Sequence, residues 1–415
     1  MKSLKVGMLG CGTVGSQIAR LLVANKADLT SRAGAQIELV KVAVRDAKVK
    51  RDGVPDSLIT TDANSIVNDP SIDLIIEVIG GISPAKELIL TALKNGKSVV
   101  TANKALLAKD GAELYEAAVA GAIPILRPLR ESLVGDQVIR IMGIVNGTTN
   151  YILTKMDESG TAFADALKQA QDLGFAEADP TADVEGFDAA DKAAILAGLA
   201  FHSRVTDKDV YREGISKITA TDVKVAKAMD MVIKLLAITE LTAAGEISVR
   251  VHPALISRNH PLASVRESYN AVFVEAKSAG QMMFYGRGAG GEPTASAVLG
   301  DLVAIARHKI SGGIGPKESD YASLKIAPIG QTKTKYLIRL NVADKPGVLE
   351  SVAHVFAAHS VSIQTVRQTG AGDKAELIVM THSSTESALS ATVKDLSNLP
   401  AVTDVASVLR VEGAM

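Results

Sequence analysis

The stretch Lys5–Gly15, KVGMLGCGTVG, determines how the first part of this chain folds. Its first half is a short apolar run typical of a buried strand, and three glycines follow in the pattern G-x-G-x-x-G. Apolar residues then recur at helical spacing over Thr13–Asn25. A strand, a glycine turn and a helix in this order predict a dinucleotide-binding unit. The residues of the turn expected to contact the dinucleotide are Gly10, Gly12, Thr13, Val14 and Gly15.

Strand-like and helix-like runs alternate from Lys5 to about Leu129, which indicates further βαβ units and a parallel sheet. We therefore predict an α/β fold whose first domain is Rossmann-like. The later strands are expected at Ile37–Arg45, Leu74–Gly80, Ser98–Thr101 and Ile123–Leu129, with helices at Pro84–Asn95 and Ala105–Ala120.

The end of the second strand bears on which dinucleotide binds. An acidic residue there commonly binds the ribose 2′-hydroxyl of NAD, whereas an arginine accommodates the 2′-phosphate of NADP. Arg45 as the last strand residue favours NADP, Asp46 favours NAD, and a third interpretation makes Arg45 an ordinary solvated strand end. The glycine motif alone is a weak signal, because glycine-rich turns are common. Its place between a strand and a helix favours the dinucleotide site over a purely structural turn.

The composition excludes several classes of partner. The 415 residues include 45 basic and 46 acidic side chains, and this balance argues against nucleic acid or an anionic membrane as partner. Cys11 is the single cysteine, so no intrachain disulfide forms, as suits a reducing cytosol. The sequence has no uncharged apolar stretch of about 18 residues and no signal-peptide pattern. We therefore expect a cytoplasmic protein.

The pattern changes from about Glu131 onward. A strand-like run at Val138–Gly147 is followed by three helical runs and then by further strands, which predicts an α+β domain for catalysis and oligomerisation. The tail, Lys335–Met415, has the order βαββαβ of an independent ferredoxin-like module. The expected domains are residues 1–130 (rejoined by 303–320) for the dinucleotide, 131–302 for the substrate and 333–415 for the tail.

Ionisable residues are concentrated in Glu177–Lys192, EADPTADVEGFDAADK. Asp188 and Lys192 are four residues apart on a predicted helix and share a face. An ordinary ion pair at an acidic helix N-terminus explains this spacing equally well. In the catalytic interpretation, the lysine donates a proton to the alkoxide formed by hydride transfer to a carbonyl, and other acids hold a substrate amino group. The run lacks histidines and calcium-loop spacing, which disfavours a metal site here.

Lys104 ends the segment Thr101–Lys104, TANK, at the carboxyl end of the predicted fourth strand. Open α/β sheets bind their ligands at this edge. An isolated surface lysine is the simple alternative, but the position favours contact with nicotinamide, substrate or phosphate.

Five segments together resemble the homoserine dehydrogenase family, and the resemblance extends over nearly the whole chain. The segment Gly174–Ala197 is long and highly specific. The resemblance implies reversible NAD(P)H-dependent reduction of L-aspartate 4-semialdehyde to L-homoserine. The segments are GCGTVG at Gly10–Gly15, TANK at Thr101–Lys104, GIVNGTTNYIL at Gly143–Leu153, GFAEADPTADVEGFDAADKAAILA at Gly174–Ala197 and GRGAGGEPTASAVLGDL at Gly286–Leu302.

The resemblance also implies roles for single residues. Lys192 and Lys104 lie near the reacting oxygen, with Lys192 as the proton donor. Glu177 and Asp188 bind the substrate, and Asp188 also orients Lys192. Gly290 returns to the cofactor. A monovalent cation such as Na⁺ is held by backbone carbonyls at Glu116, Val119, Gly121 and Ile123.

The tail resembles an ACT domain, with Asp344–Gly347 at its first strand–helix turn. Such domains often bind amino acids between paired copies. Because homoserine leads to threonine, the resemblance implies feedback by L-threonine. The alternative is a tail that only supports oligomerisation. For the whole protein we expect a homodimer or a homotetramer. Because no amino-acid kinase sequence precedes Met1, we expect the monofunctional form.

Two rival functions are weaker. Aspartate-semialdehyde dehydrogenase acts on the same metabolite but requires a cysteine nucleophile, and Cys11 lies inside the cofactor loop, where its thiol cannot meet the aldehyde. The second rival is a non-catalytic amino-acid-sensing regulatory protein with a vestigial Rossmann domain. It would require loss of Lys192 or of the acidic run, and both are present.

Overall fold

The computed structural model describes residues 2–51, 53–110, 125–313, 322–370 and 375–413, except for the side chains of residues 109 and 110. The four residues expected to hold a cation, Glu116, Val119, Gly121 and Ile123, lie outside these ranges. The chain divides into two compact units. The first comprises Met1–Val138, Ala194–Lys208 and Tyr269–Ser323, and the second comprises Ile139–Ala193, Asp209–Ser268 and Leu324–Met415.

Strands and helices alternate through the N-terminal part, in the order β1 (Ser3–Leu9), α1 (Thr13–Ala24), α2 (Lys26–Ala33), β2 (Gln36–Ala43), β3 (Ile59–Thr60), α3 (Asn64–Val67), β4 (Leu74–Glu77), α4 (Ala85–Lys94), β5 (Ser98–Thr101) and α5 (Lys104–Asp110). The middle part contains β6 (Val138–Ile144), α6 (Gly147–Ser159), α7 (Phe163–Asp172), α8 (Thr181–Val184), α9 (Phe187–Phe201), β7 (Tyr211–Arg212), α10 (Ala220–Ala228), β8 (Met231–Leu241), β9 (Ile247–Ser257), β10 (Tyr269–Ala276), β11 (Gly280–Arg287) and α11 (Gly291–Ser311). The tail contains β12 (Lys333–Val342), α12 (Val348–Ala358), β13 (Ile363–Thr369), β14 (Ala375–Thr381), β15 (Ser384–Thr385), α13 (Glu386–Leu396) and β16 (Val402–Val411).

The first unit contains a five-stranded sheet in the order β3-β2-β1-β4-β5, and every neighbouring pair is parallel. The predicted Rossmann-like sheet is confirmed. Its central strands are apolar because helices cover both faces, and all four residues of β4 are buried. The order reverses between β1 and β4, so the loops that follow these two strands border the crevice in which such sheets bind their ligands.

Helices α1 and α11 pack on one face of this sheet. Ile18 of α1 and Val298 and Leu302 of α11 belong to one buried cluster with Val6 of β1. The opposite face is covered by α4 and α5 through a second cluster that includes Leu88 and Leu106. Among the described helices, none has the length and apolar character required to cross a membrane.

The predicted strand Ile123–Leu129 is wrong over its described part. From Leu126 the backbone is helical, and Pro128–Ser132 form a π-helical turn. The amide of Leu129 donates to the carbonyl of Ile125 at 3.1 Å. Proline has no N–H group for a strand ladder, so local helical hydrogen bonds form instead.

The second unit contains a mixed sheet with the order β6-β8-β9-β16-β12-β14-β13. Its longest pairing is the antiparallel ladder between β8 and β9, from Met231 opposite Ser257 to Leu241 opposite Ile247. The three helical runs predicted after β6 correspond to α6, α7 and α9. The sequence pattern did not indicate β8, because its core-buried run lacks the alternation of a half-exposed strand.

The tail forms the predicted βαββαβ module, with the four strands in the order β16-β12-β14-β13 and a core of its own around Phe356 and Leu389. β16 also pairs in parallel with β9, with Arg410 opposite Ala254 and Val411 opposite Leu255. The tail therefore extends the sheet of the second unit.

The glycine turn of β1 and α1 should tolerate no side chain at Gly15. A Cβ atom there would lie 2.5 Å from the carbonyl oxygen of Gly10, and backbone cannot move aside cheaply. We expect Gly15→Ala to lower the free energy of unfolding in urea by about 1–3 kcal/mol. The control is Gly300→Ala in the interior of α11, where a Cβ meets nothing within 4 Å. It should raise stability by about 0.5–1 kcal/mol. Equal stability of the two variants would contradict this account of the turn.

Stability should rise with pH because of Lys234 on β8, which is 2% exposed. Its ammonium group donates to Asn150 Oδ1 at 2.9 Å and to the carbonyl of Val265 at 2.6 Å. Burial lowers the pKa of Lys234 from 10.5 to about 8, although the carboxylates of Asp157 and Glu158 oppose this shift. Between these values the unfolded chain binds the extra proton, so the free energy of unfolding rises with pH through this window.

We expect the wild type to gain roughly 3 kcal/mol relative to Lys234→Met between pH 8 and pH 10.5. Urea unfolding of both proteins over this range measures the difference, and subtraction of the Met variant removes the titration of all other groups. Parallel stability curves would refute the assignment.

Candidate active site

The glycine turn in the first unit has the backbone geometry that a diphosphate requires. Gly10 has φ +100°, and a Cβ atom there would lie 2.7 Å from the carbonyl oxygen of Val78. Because Gly10 and Gly15 have no side chains, the backbone at Gly10 can lie against Val78 and the backbone at Gly15 against Gly10. Gly12 is exposed, and a Cβ on it would meet nothing within 4 Å, so its outer side is open. This combination fits the close approach of a bound dinucleotide to the backbone.

A second helix begins beside the same turn. Gly290, with φ +123°, precedes the first residue of α11. A Cβ on Gly291 would lie 3.0 Å from the carbonyl oxygen of Thr13 in the first turn of α1. No side chain caps either helix. The positive ends of two helix dipoles therefore converge where a diphosphate would bind, which favours negative charge.

The end of β2 presents arginine and acid together. The strand ends at Ala43, and both Arg45 and Asp46 are exposed beyond it. The Asp46 carboxylate accepts the backbone N–H of Lys48 at 2.8 Å. Arg51 donates to the carbonyl oxygens of Asp46 at 3.0 Å and Cys11 at 3.2 Å, which places its guanidinium against the glycine turn. Arg51 was not predicted from the sequence, although the basic run at residues 45–51 was a usable signal.

Buried hydrogen bonds hold the segment that ends in Lys104. Glu77, at the end of β4, is fully buried and accepts the hydroxyl of Thr101 at 2.5 Å. The same carboxylate accepts the backbone N–H of Ile79 at 2.7 Å. Asn103 in turn donates to the carbonyl of Gly81 at 2.5 Å. Lys104 is the first residue of α5, and its side chain is exposed at the carboxyl edge of the sheet. Glu77 was not identified from the sequence.

The thiol of Cys11 is not arranged as a nucleophile. Burial raises its pKa, and the nearby charge of Arg51 opposes that shift without reversing it. A thiol with a raised pKa is protonated at neutral pH and reacts poorly. The chemistry of an acyl-enzyme, which needs an activated cysteine, therefore has no support at this position.

In the second unit, Lys192 and Asp188 form the ion pair expected from their spacing. The Lys192 ammonium donates to Asp188 Oδ2 at 2.8 Å. It also donates to the carbonyl oxygen of Val145, which lies just after β6. The side chains are 23% and 13% exposed, so both are largely sheltered from water yet still reachable. Two acceptors on different elements hold the ammonium group in one place.

Asn146 joins this pair to a second carboxylate. Its Nδ2 donates to Asp183 Oδ1 at 2.6 Å and to Asp188 Oδ2 at 3.0 Å. Its Oδ1 accepts the backbone N–H of Thr149 at 2.9 Å and thereby caps α6. Asn146 was not predicted from the sequence as a site residue. The helix-capping pattern was visible, but its carboxylate partners were not.

Glu177 lies on the exposed segment between α7 and α8. Gln171 of α7 donates to its carbonyl oxygen at 3.1 Å, which fixes the backbone while the carboxylate faces solvent. The structure thus brings Asp183, Asp188 and Lys192 together around Asn146. Among the described residues, no cluster of three or more His, Cys, Asp or Glu side chains is arranged to hold a metal ion.

Comparison with known proteins agrees with this geometry. Family models match residues 10–128 as the homoserine dehydrogenase NAD-binding domain, residues 124–303 as homoserine dehydrogenase and residues 336–401 as an ACT domain. The homoserine dehydrogenase of Mycobacterium tuberculosis is 52% identical, over 99% of this chain and 98% of its own length.

Solved structures give the same result. The crystal structure of a homoserine dehydrogenase from Thiobacillus denitrificans superposes with a TM-score of 0.94 at 40% identity, covering 99% of both chains. A hyperthermophilic archaeal homoserine dehydrogenase in complex with NADPH has a TM-score of 0.62 at 26% identity, covering 76% of this chain and 99% of that one.

A parallel sheet with a dinucleotide turn, a lysine–carboxylate pair and full-length similarity to proteins of one activity lead to a single conclusion. The chain belongs to the homoserine dehydrogenase family of NAD(P)-dependent oxidoreductases.

Proposed function

We propose that Lys192 is the proton donor when L-aspartate 4-semialdehyde is reduced to L-homoserine. A dinucleotide held at the glycine turn would supply the hydride that reduces the aldehyde carbon. The carbonyl π electrons move to oxygen, and Lys192 gives that oxygen a proton, which completes the hydroxyl group. In the oxidative direction the lysine takes the same proton back. The observation that carries this proposal is the position of the Lys192 ammonium, held by Asp188 and the Val145 carbonyl.

The other carboxylates are suited to the amino group of the substrate. Asp188 already accepts hydrogen bonds from Lys192 and Asn146, so its charge is fixed in place. Glu177 is exposed and can approach a ligand from the loop before α8. We assign both to substrate binding. Lys104, exposed at the carboxyl edge of the parallel sheet, is assigned to the nicotinamide end of the cofactor and to the substrate.

NADP is the proposed preferred cofactor over NAD. Arg45 is exposed just beyond β2, and Arg51 adds a second cation against the glycine turn. A 2′-phosphate carries charge that such cations bind, whereas a 2′-hydroxyl does not. The archaeal relative bound to NADPH supports the same choice. The carboxylate of Asp46 is held by the Lys48 amide, which leaves it less suited to a ribose hydroxyl. The remaining contacts proposed for the cofactor are Gly10, Gly12, Thr13, Val14, Gly15 and Gly290.

Three further assignments rest on the family resemblance. L-threonine is the proposed effector of the ACT domain, and its addition to the activity assay tests this. A monovalent cation such as Na⁺ is proposed at Glu116, Val119, Gly121 and Ile123, and activity with and without Na⁺ tests it. The proposed assembly is a homodimer or homotetramer, which light scattering distinguishes from a monomer. The rival function, a non-catalytic amino-acid sensor, predicts no turnover at all.

Loss of the Lys192 ammonium should abolish most of the chemistry while sparing the cofactor site. We expect Lys192→Ala to lower kcat by about 10²–10⁴-fold, because general acid catalysis contributes on that scale. The Kd for NADPH, measured by fluorescence titration, should stay within about twofold, because the cofactor residues lie on other elements.

The matched control is Lys155→Ala on α6, where the lysine pairs with Glu267 at 2.7 Å away from the proposed chemistry. It should retain kcat within about twofold, because a partly exposed ion pair contributes little. Turnover of Lys192→Ala near that of the control would refute the proton-donor assignment.

The cofactor preference should depend on Arg45. We expect Arg45→Ala to raise the KM for NADPH by about tenfold, the value of one charge-assisted contact, and to leave the KM for NADH unchanged. Arg32→Ala, which removes an exposed arginine of α2 paired with Asp28, is the matched control and should change neither constant. An equal rise in the KM for NADPH and the KM for NADH would show that Arg45 does not bind the 2′-phosphate.

A further inference from the structure

Arg410, a buried arginine of the tail, joins the tail to the segment of residues 211–215, which begins with β7. Arg410 on β16 donates through Nη1 to Glu213 Oε2 at 2.8 Å and through Nη2 to Glu213 Oε1 at 2.9 Å. Nη2 also donates to Glu386 Oε1 of α13 at 2.5 Å. The Arg410 side chain is 8% exposed. A bidentate pair of this kind fixes orientation as well as distance.

Two tyrosines complete the arrangement around Arg410. Its guanidinium lies 5.3 Å from the ring centre of Tyr211 and donates to the Tyr211 hydroxyl at 3.2 Å. Tyr336 of β12 donates to the same oxygen of Glu386 at 2.5 Å. Burial raises the pKa of Glu213, but the hydrogen bonds from Arg410 outweigh it and hold that pKa below its ordinary value. The Glu213 carboxylate is therefore charged at neutral pH and remains paired.

The segment that carries Glu213 packs directly on the turn before α9. The Arg212 side chain donates to the carbonyl oxygen of Glu185, and its guanidinium lies 3.4 Å from the ring centre of Phe187. The backbone N–H of Ile215 donates to the carbonyl of Val184 at 2.8 Å. A Cβ atom on Gly214 would lie 2.5 Å from that same carbonyl oxygen, so the two backbones are in close contact.

The turn held in this way lies between two carboxylates of the candidate active site. Asp183, on α8, and Asp188, in the first turn of α9, lie on either side of it. Both accept hydrogen bonds from Asn146, and Asp188 also accepts one from Lys192. A shift of the turn would therefore move both carboxylates relative to the lysine.

We propose that Arg410 is a positioning residue for the substrate site, which it holds in place through Glu213 and the contact of residues 211–215 with the turn at Glu185–Phe187. The proposal rests on the proposed roles of Asp188 and Lys192. Each step is a direct contact within the second unit. A change in the tail that moves Arg410 is thus transmitted to the carboxylates without any shared ligand.

The test measures substrate binding separately from the chemical step. Glu213→Gln keeps the shape of the side chain and removes its charge. Because the Glu213 side chain is 41% exposed, we expect the variant to fold. We expect the KM for L-homoserine to rise about tenfold, with kcat within about threefold and an unchanged Kd for NADPH. Arg410→Met should give the same rise, and the double variant should show about tenfold rather than a hundredfold increase, because both changes break one link. Arg410→Lys retains the charge but not the bidentate pair, so it should raise KM less than Arg410→Met does.

The matched control is Glu376→Gln. Glu376, on β14 of the tail, accepts a hydrogen bond at 2.8 Å from a buried arginine, Arg339, as Glu213 does from Arg410. Arg339 lies on β12, however, and not on β16. This variant should lose stability to a similar degree and keep the wild-type KM.

The proposal is overturned if Glu213→Gln and Glu376→Gln have the same KM, or if the effects of Glu213→Gln and Arg410→Met multiply in the double variant. Normal turnover of Lys192→Ala would refute the proton-donor role instead, so the two failures are distinguishable.

Discussion

The hydrogen bonds of Asn146 are the constraint on which the candidate active site depends. One side chain caps α6 and donates to the carboxylates of Asp183 and Asp188. Asp188 also accepts a hydrogen bond from Lys192. These hydrogen bonds fix the positions of the end of β6, the start of α6 and the start of α9 relative to one another. Buried amide groups of this kind are costly when unpaired, so the arrangement is held by more than the attraction of two charges.

The same principle governs the attachment of the tail. Three arginines with side chains at most 8% exposed, Arg250, Arg339 and Arg410, each bind two carboxylates from different elements. Desolvation offsets much of the attraction in buried ion pairs, so their net contribution to stability is small. Breaking one of them is costly, however, because a charge is left buried alone. They therefore favour a single register of β16 beside β9, in which all three arginines are paired.

Sequence patterns predicted the elements with strong local signals. The glycine turn after β1, the alternation that gives the parallel sheet, the βαββαβ order of the tail and the i,i+4 spacing of Asp188 and Lys192 all follow from residues close together in the chain. The strand expected at Ile123–Leu129 was wrong in its described part because Pro128 removes a ladder donor and local helical bonds replace it. Glu77 and Asn146 were missed because their side chains bind partners far away in the chain, which no local pattern identifies. Arg51 had a local signal in the basic run at residues 45–51, but its contact with Cys11 had none.

The sequence by itself determined the class of fold, the family and the chemical nature of the site, since these depend on periodicity, glycine positions and a few reactive side chains. Only the tertiary structure decided which groups meet. Asn146 and Asp183 are 37 residues apart in the chain, and Glu213 and Arg410 are 197 residues apart. Contacts over such separations are set by how strands and helices pack. A hydrogen bond requires two groups within about 3 Å, and spacing along a chain constrains that distance only within a single element.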